Sequence, residues 1–154
     1  MVARPVADGG KHLARNGSGK LADANSPTRN REFTVMPAHE KINYVEFPAR
    51  DLAQTKAFFT AAFGWSFVDY GPDYAAFSDQ GLDGGFYKSE LQATTANGSA
   101  LIVFFSQALE ETQARVKAAG GRIVKPIFTF PGGRRFHFVE PSGNEFAVWG
   151  EALA

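Results

Sequence analysis

The sequence of 154 residues predicts an α+β fold, in which two βαβββ modules form a mixed, open β-barrel. Three observations lead there. Short runs rich in β-formers are interrupted by only two amphipathic helical segments. The order strand, helix, three strands occurs over Ile42 to Lys88 and again over Ala100 to Trp149. One such unit would leave an apolar sheet half exposed, so two must cover each other and curl into a trough.

Residues 1–35 are of another kind. MVARPVADGGKHLARNGSGKLADANSPTRNREFTV is poor in large apolar side chains and cannot offset its ordering entropy. The expectation is a disordered tail over 1–35 and one folded domain over 36–154, with modules at 41–90 and 99–151. The tail has no apolar stretch of the signal-peptide kind, and Asp8, Asp23 and Glu32 argue against a transit peptide. A partner-binding arm is the alternative to a nonessential extension.

Within the domain, INYVEF alternates as a strand does. Asp51 is a good N-cap, and LAQTKAFFTAAF sets Leu52, Thr55, Phe58, Phe59 and Ala62 on one helical face before Gly64 ends the helix. WSFVDY, YAAFS and GGFYK supply three strands, the last preceded by a turn at Asp83 to Gly85. The second module repeats the scheme. ALIVFF is its strand, and ALEETQARVKAAGG its helix, with Leu109, Thr112, Val116 and Ala119 inward and Gly121 in the place of Gly64. RIVKPIF, RRFHFVE and EFAVW complete it, with PSGN as the last turn. PGGRR has no helix after it, so a hairpin turn suits it better than a phosphate cradle.

Composition narrows the function. Hydrophobic residues are 44% and aromatics 14%, with 15 Phe, enough for a true core. The formal net charge of zero gives no general attraction to nucleic acid or anionic membrane. The absence of Cys excludes disulfides, thiolate zinc sites and a cysteine nucleophile. The longest apolar run, Ala100 to Phe105, is too short to span a bilayer. A cytoplasmic protein without nucleic-acid or membrane partners is expected.

EFPARDLAQTKAFFTAAFGW in the first module and RRFHFVEPSGNEFAVW in the second resemble the vicinal oxygen chelate superfamily, which includes glyoxalase I, extradiol dioxygenases, fosfomycin resistance enzymes and bleomycin resistance proteins. The resemblance covers Lys41 to Glu151, and YVEFPARDL is most similar to the glyoxalase-like subgroup with Glu in the first strand. It implies the glyoxalase/bleomycin resistance fold and a homodimer. It also implies four metal-ligand positions on the first and last strands of the modules. Carried onto this chain, these positions fall on Tyr44, Leu101, Ala147 and the stretch Phe86–Tyr87. None offers imidazole or carboxylate, so the resemblance implies neither the metal nor another cofactor.

Strand parity then sorts the trough. With Tyr44 and Ala147 facing it, so do Glu46, Glu145 and Trp149; Phe136 and Phe138 suit the helix side, which leaves Arg135, His137 and Val139 inward. The candidate ligand-binding set is Tyr44, Glu46, Tyr87, Arg135, His137, Glu145 and Trp149, with Leu101, Val103 and Phe105 as apolar wall. The expected function is binding of a small apolar or aromatic molecule, as in bleomycin resistance proteins, with Arg135 able to hold an anionic group. An enzyme is the alternative: a lyase, isomerase or dioxygenase using Glu46 and His137 as acid and base, or a displaced metal on Glu46, His137 and Glu145. In a purely structural version Glu46 and His137 bond each other and close the sheet. Arg134 is expected at the solvated or helix-side edge, and His12 and His39 in solvent.

Overall fold

The first element, β1 (Tyr44–Ala49), buries Phe47 and Ala49 on one face. It belongs to a computed structural model that describes residues 36–154; the tail expected over 1–35 lies outside the described residues. Asp51 then starts α1 (Leu52–Phe63) by accepting from the Gln54 N–H at 3.0 Å. Gly64, at φ +72, ends it with its N–H on the Thr60 carbonyl. Thr55, Phe58, Phe59 and Ala62 are the buried stripe of α1. The module continues through β2 (Val68–Asp69), β3 (Tyr74–Gln80) and β4 (Leu82–Lys88).

The second module repeats this order as β5 (Ile102–Phe105), α2 (Leu109–Ala118), β6 (Arg122–Phe130), β7 (Gly133–Val139) and β8 (Glu145–Gly150). The strands form two open four-stranded sheets, ordered β1-β4-β3-β2 and β5-β8-β7-β6. In each, the first and last strands run parallel and the remaining pairs antiparallel. A shared aromatic core joins the sheets. The ring of Phe47 lies 5.0 Å from that of Phe146, and Phe59 packs on both Phe86 and Phe146. Among the described residues, no helix is long and apolar enough to cross a membrane.

Four local expectations need correction. WSFVDY pairs only at Val68 and Asp69, because Trp65 turns into the core and stacks 4.5 Å from Phe59. Asp83 to Gly85 is not a turn but part of β4, the turn falling one step earlier at Gly81. Gly84 and Gly85 are needed there because the rings of Phe77 and Tyr74 lie directly over them, in the space a Cβ would fill. At the end of α2, Gly120 and not Gly121 takes positive φ; Gly121 is instead held by close contact with Val116 and Phe58. Leu101 precedes β5 and is not part of it. PGGRR does form the β6–β7 hairpin turn, and Pro126 sits among register shifts on edge strand β6, where a missing N–H is tolerated.

Candidate functional site

Strand alternation gives each sheet a helix-facing side and a concave side. On the second sheet Phe136, Phe138, Phe146 and Val148 fill the core, which turns Arg135, His137, Glu145, Ala147 and Trp149 to the concave side. His137 and Glu145 are 3% and 7% exposed. His137 Nδ1 lies 3.0 Å from Glu145 Oε2, while Arg135 Nη2 and Nε lie 2.7 and 3.1 Å from His137 Nε2. A guanidinium only donates, so Nε2 is the acceptor and Nδ1 carries the proton that Glu145 receives. The other carboxylate oxygen accepts from both the N–H and the hydroxyl of Thr95, at 2.9 and 2.8 Å. Burial pushes the Glu145 carboxyl up, but the bonds from His137 and Thr95 outweigh it and hold the group below its ordinary value.

Around this chain of bonds stand rings in solvent. Arg135 lies 5.8 Å from the centroids of both Phe128 and Phe130. Trp149 packs against Phe105 at 4.9 Å. Val103, Phe105 and Phe128 are 41%, 52% and 39% exposed. Beside them, an apolar cleft of about 390 Å³ runs along β5, bounded by Val103, Phe105, Phe104, Val45, Trp65 and the Gln80–Leu82 turn.

On the first sheet the concave side carries Tyr44, Glu46, Tyr74 and Tyr87, because Phe47, Phe86, Ala75 and Phe77 take the core side. Tyr74 lies across Gly85, donates to Glu46 Oε1 at 2.9 Å and meets the Tyr44 hydroxyl at 2.6 Å. Burial, then the bonds to Tyr44 and Glu46, push the Tyr74 phenol far above its ordinary value, so it remains a donor.

The structure therefore brings Arg135, His137 and Glu145 together, and separately Tyr44 and Glu46. It does not pair Glu46 with His137, whose two ring nitrogens are occupied by Glu145 and Arg135. Nor does it gather Glu46, His137 and Glu145: among the described residues no three His, Asp or Glu side chains stand close enough to share a metal ion. The positions marked by the resemblance, Tyr44, Leu101, Ala147 and Phe86–Tyr87, carry phenol and hydrocarbon side chains, with no imidazole or carboxylate among them. Arg134 lies on the helix side and pairs with Glu110 of α2, and His39 is exposed.

Sequence reasoning missed Tyr74, Thr95 and the Glu140 turn. Tyr74 was open to the same parity argument, from the core positions Ala75 and Phe77. Thr95 lies on a short 3-10 turn, Thr95–Asn97, for which no periodicity exists. Glu140, 2% exposed, accepts from the Thr55 hydroxyl and the Ser142 N–H on one oxygen and from Asn144 Nδ2 on the other. Asn144 Nδ2 also donates to the Pro48 carbonyl at 2.6 Å, so this turn ties the second sheet to the first.

The model of the Glyoxalase/Bleomycin resistance protein/Dioxygenase superfamily matches residues 41–148. No curated protein matches the chain. A glyoxalase-related enzyme from Fulvimarina pelagi superposes with TM-score 0.62 at 19% identity, covering 73% of this chain and 88% of its own. The genomically encoded fosfomycin resistance protein FosX from Listeria monocytogenes does so with TM-score 0.61 at 22% identity, covering 77% and 97%. A glyoxalase/bleomycin resistance protein/dioxygenase family enzyme from Burkholderia phytofirmans gives 0.60 at 19%, covering 71% and 97%. At these identities the likeness is one of fold.

Proposed function

The chain belongs to the Glyoxalase/Bleomycin resistance protein/Dioxygenase superfamily, and from that premise we propose that it binds a small apolar or aromatic molecule in its trough, without the metal of its metal-dependent relatives. One observation carries this reading: the concave side of the second sheet holds large apolar side chains in solvent around a fixed polar group. Val103, Phe105 and Phe128 stand exposed beside the Arg135–His137–Glu145 chain, while every Phe on the opposite side of β7 and β8 is buried. Exposed apolar surface rimmed by oriented polar groups is what a ligand site requires. Leu101, Val103 and Phe105 would face the ligand body, and Trp149 and Tyr87 its rings. Arg135 would orient an anionic group. A glutamate-to-glutamine mutant of the Listeria protein has been solved with Mn(II) and a dihydroxypropylphosphonic acid; here Arg135 could meet such an anion, but Tyr44, Leu101 and Ala147 supply neither imidazole nor carboxylate for manganese.

Fluorescence tests the reading. Aromatic compounds are expected to quench the chain, the quench to disappear in Trp149→Phe, and binding to weaken in Arg135→Ala. A broad aromatic library with no response would sink it. Elemental analysis of protein purified without chelator tests the competing enzyme: stoichiometric metal lost in His137→Ala would replace binding by metal-assisted chemistry. The exposed Val103 and Phe105 on edge strand β5 also support a homodimer, expected as twice the chain mass in light scattering.

A further inference from the structure

The concave side of the first sheet can be followed proton by proton. A carboxylate at Glu46 has none to give. The single hydroxyl proton of Tyr74 goes to Glu46 Oε1, so the proton in the 2.6 Å contact between Tyr74 and Tyr44 comes from Tyr44. Each of these donors is thus spent within the chain, and Glu46, which is exposed, turns outward as an acceptor. Asp83, opposite Tyr44 in the register, already accepts from the Asp79 N–H. No ion pair among the described residues engages Glu46 or Asp83. Tyr87, across from Tyr74, adds a third phenol ring to the same side. A negative acceptor bordered by phenol rings suits a group that is positive and donates, since such rings attract cations at their faces and charge-assisted bonds are the strong ones.

We infer that this side receives an organic ammonium or guanidinium group at Glu46, with Tyr74 as the positioning residue that fixes the carboxylate. The inference rests on the reading of the trough as a small-molecule site and names the chemistry of one end of its ligand. Four features support it together: the exhausted donors, the unpaired exposed carboxylate, the row of phenols, and the fixing of the Tyr74 ring over Gly85.

Calorimetric titration of the full chain with benzylamine, benzyl alcohol and benzoate tests it. Benzylamine is expected to bind more tightly than benzyl alcohol. Glu46→Gln should weaken benzylamine about tenfold, the loss of one charge-assisted bond, and leave benzyl alcohol unchanged. Tyr74→Phe should lower the ratio of benzylamine to benzyl alcohol affinity in the same direction by a smaller factor, which a merely structural role would not do. Benzyl alcohol binding as tightly as benzylamine, or Glu46→Gln weakening all three alike, overturns the inference and leaves the trough reading intact. Failure of all three to bind overturns both.

Discussion

The two sheets share one topology and treat their polar side chains in opposite ways. On the second sheet His137 and Glu145 are buried, and every bond they make is to the protein. On the first, Glu46 is exposed and bonded on one oxygen. The segment between the modules makes the difference. It crosses the start of β8, where Ala93 accepts from the Glu145 N–H and donates to Asn144 Oδ1, and Thr95 covers the Glu145 carboxylate. Nothing comparable crosses β4 among the described residues. A repeat in sequence therefore gives two copies of a scaffold but not two copies of a polar arrangement: one carboxylate is buried within the fold and the other is exposed.

The sharpest way to break that comparison is at the joint. Asn144 donates to Pro48 and Glu140 and accepts from Ala93, all within buried or half-buried surroundings. Asn144→Ala should destabilise the domain by about 3 kcal/mol in denaturant unfolding, since it strands several buried partners. A loss below about 1 kcal/mol would mean that the turn does not join the sheets.

The locked chain comes next. His137→Ala leaves Glu145 buried with only Thr95 to satisfy it, and should cost about 2 kcal/mol. Acid should act on the same group. A carboxyl held below its ordinary value of 4.5 contributes stability that is complete above that value and is lost as pH falls through the lower native one. Melting temperature should thus fall as pH drops below about 4.5, and fall less steeply in Glu145→Gln. Glu140 runs the other way. Its burial raises the carboxyl and outweighs the bonds from Ser142, Thr55 and Asn144, so its contribution is complete below 4.5 and fades as pH rises through the raised value. An identical acid profile in Glu145→Gln and the parent would show that His137 and Thr95 do not hold the carboxylate.

The fold was legible because it is periodic. Alternation in INYVEF and RRFHFVE, with the helical stripe of Phe58 and Phe59, placed the core side of the strands, and the repeat supplied the architecture. Parity, anchored on the positions that the resemblance marks, put Arg135, His137 and Glu145 on one side. What it could not supply was partnership across strands. Glu46 and His137 share a parity but stand on different sheets, so their expected bond does not form, and the neighbour of His137 on the adjacent strand, Glu145, takes its place. The missed residues have different causes. Thr95 acts from an aperiodic turn, Glu140 stands one residue beyond β7 in a run read as strand to its end, and Gly84 and Gly85 resembled a turn because their purpose, to admit two rings over β4, lies in contacts distant in sequence.

The smallest expected effect bears on the open chain. Glu46→Gln keeps an oxygen for Tyr74 and removes a charge that no ion pair among the described residues engages. Stability should change by less than about 0.5 kcal/mol, as for surface substitutions away from buried networks. Should unfolding instead show a loss near that of His137→Ala, the first sheet would be locked like the second. The contrast between a structural carboxylate at Glu145 and a receptive one at Glu46 would then have to be given up.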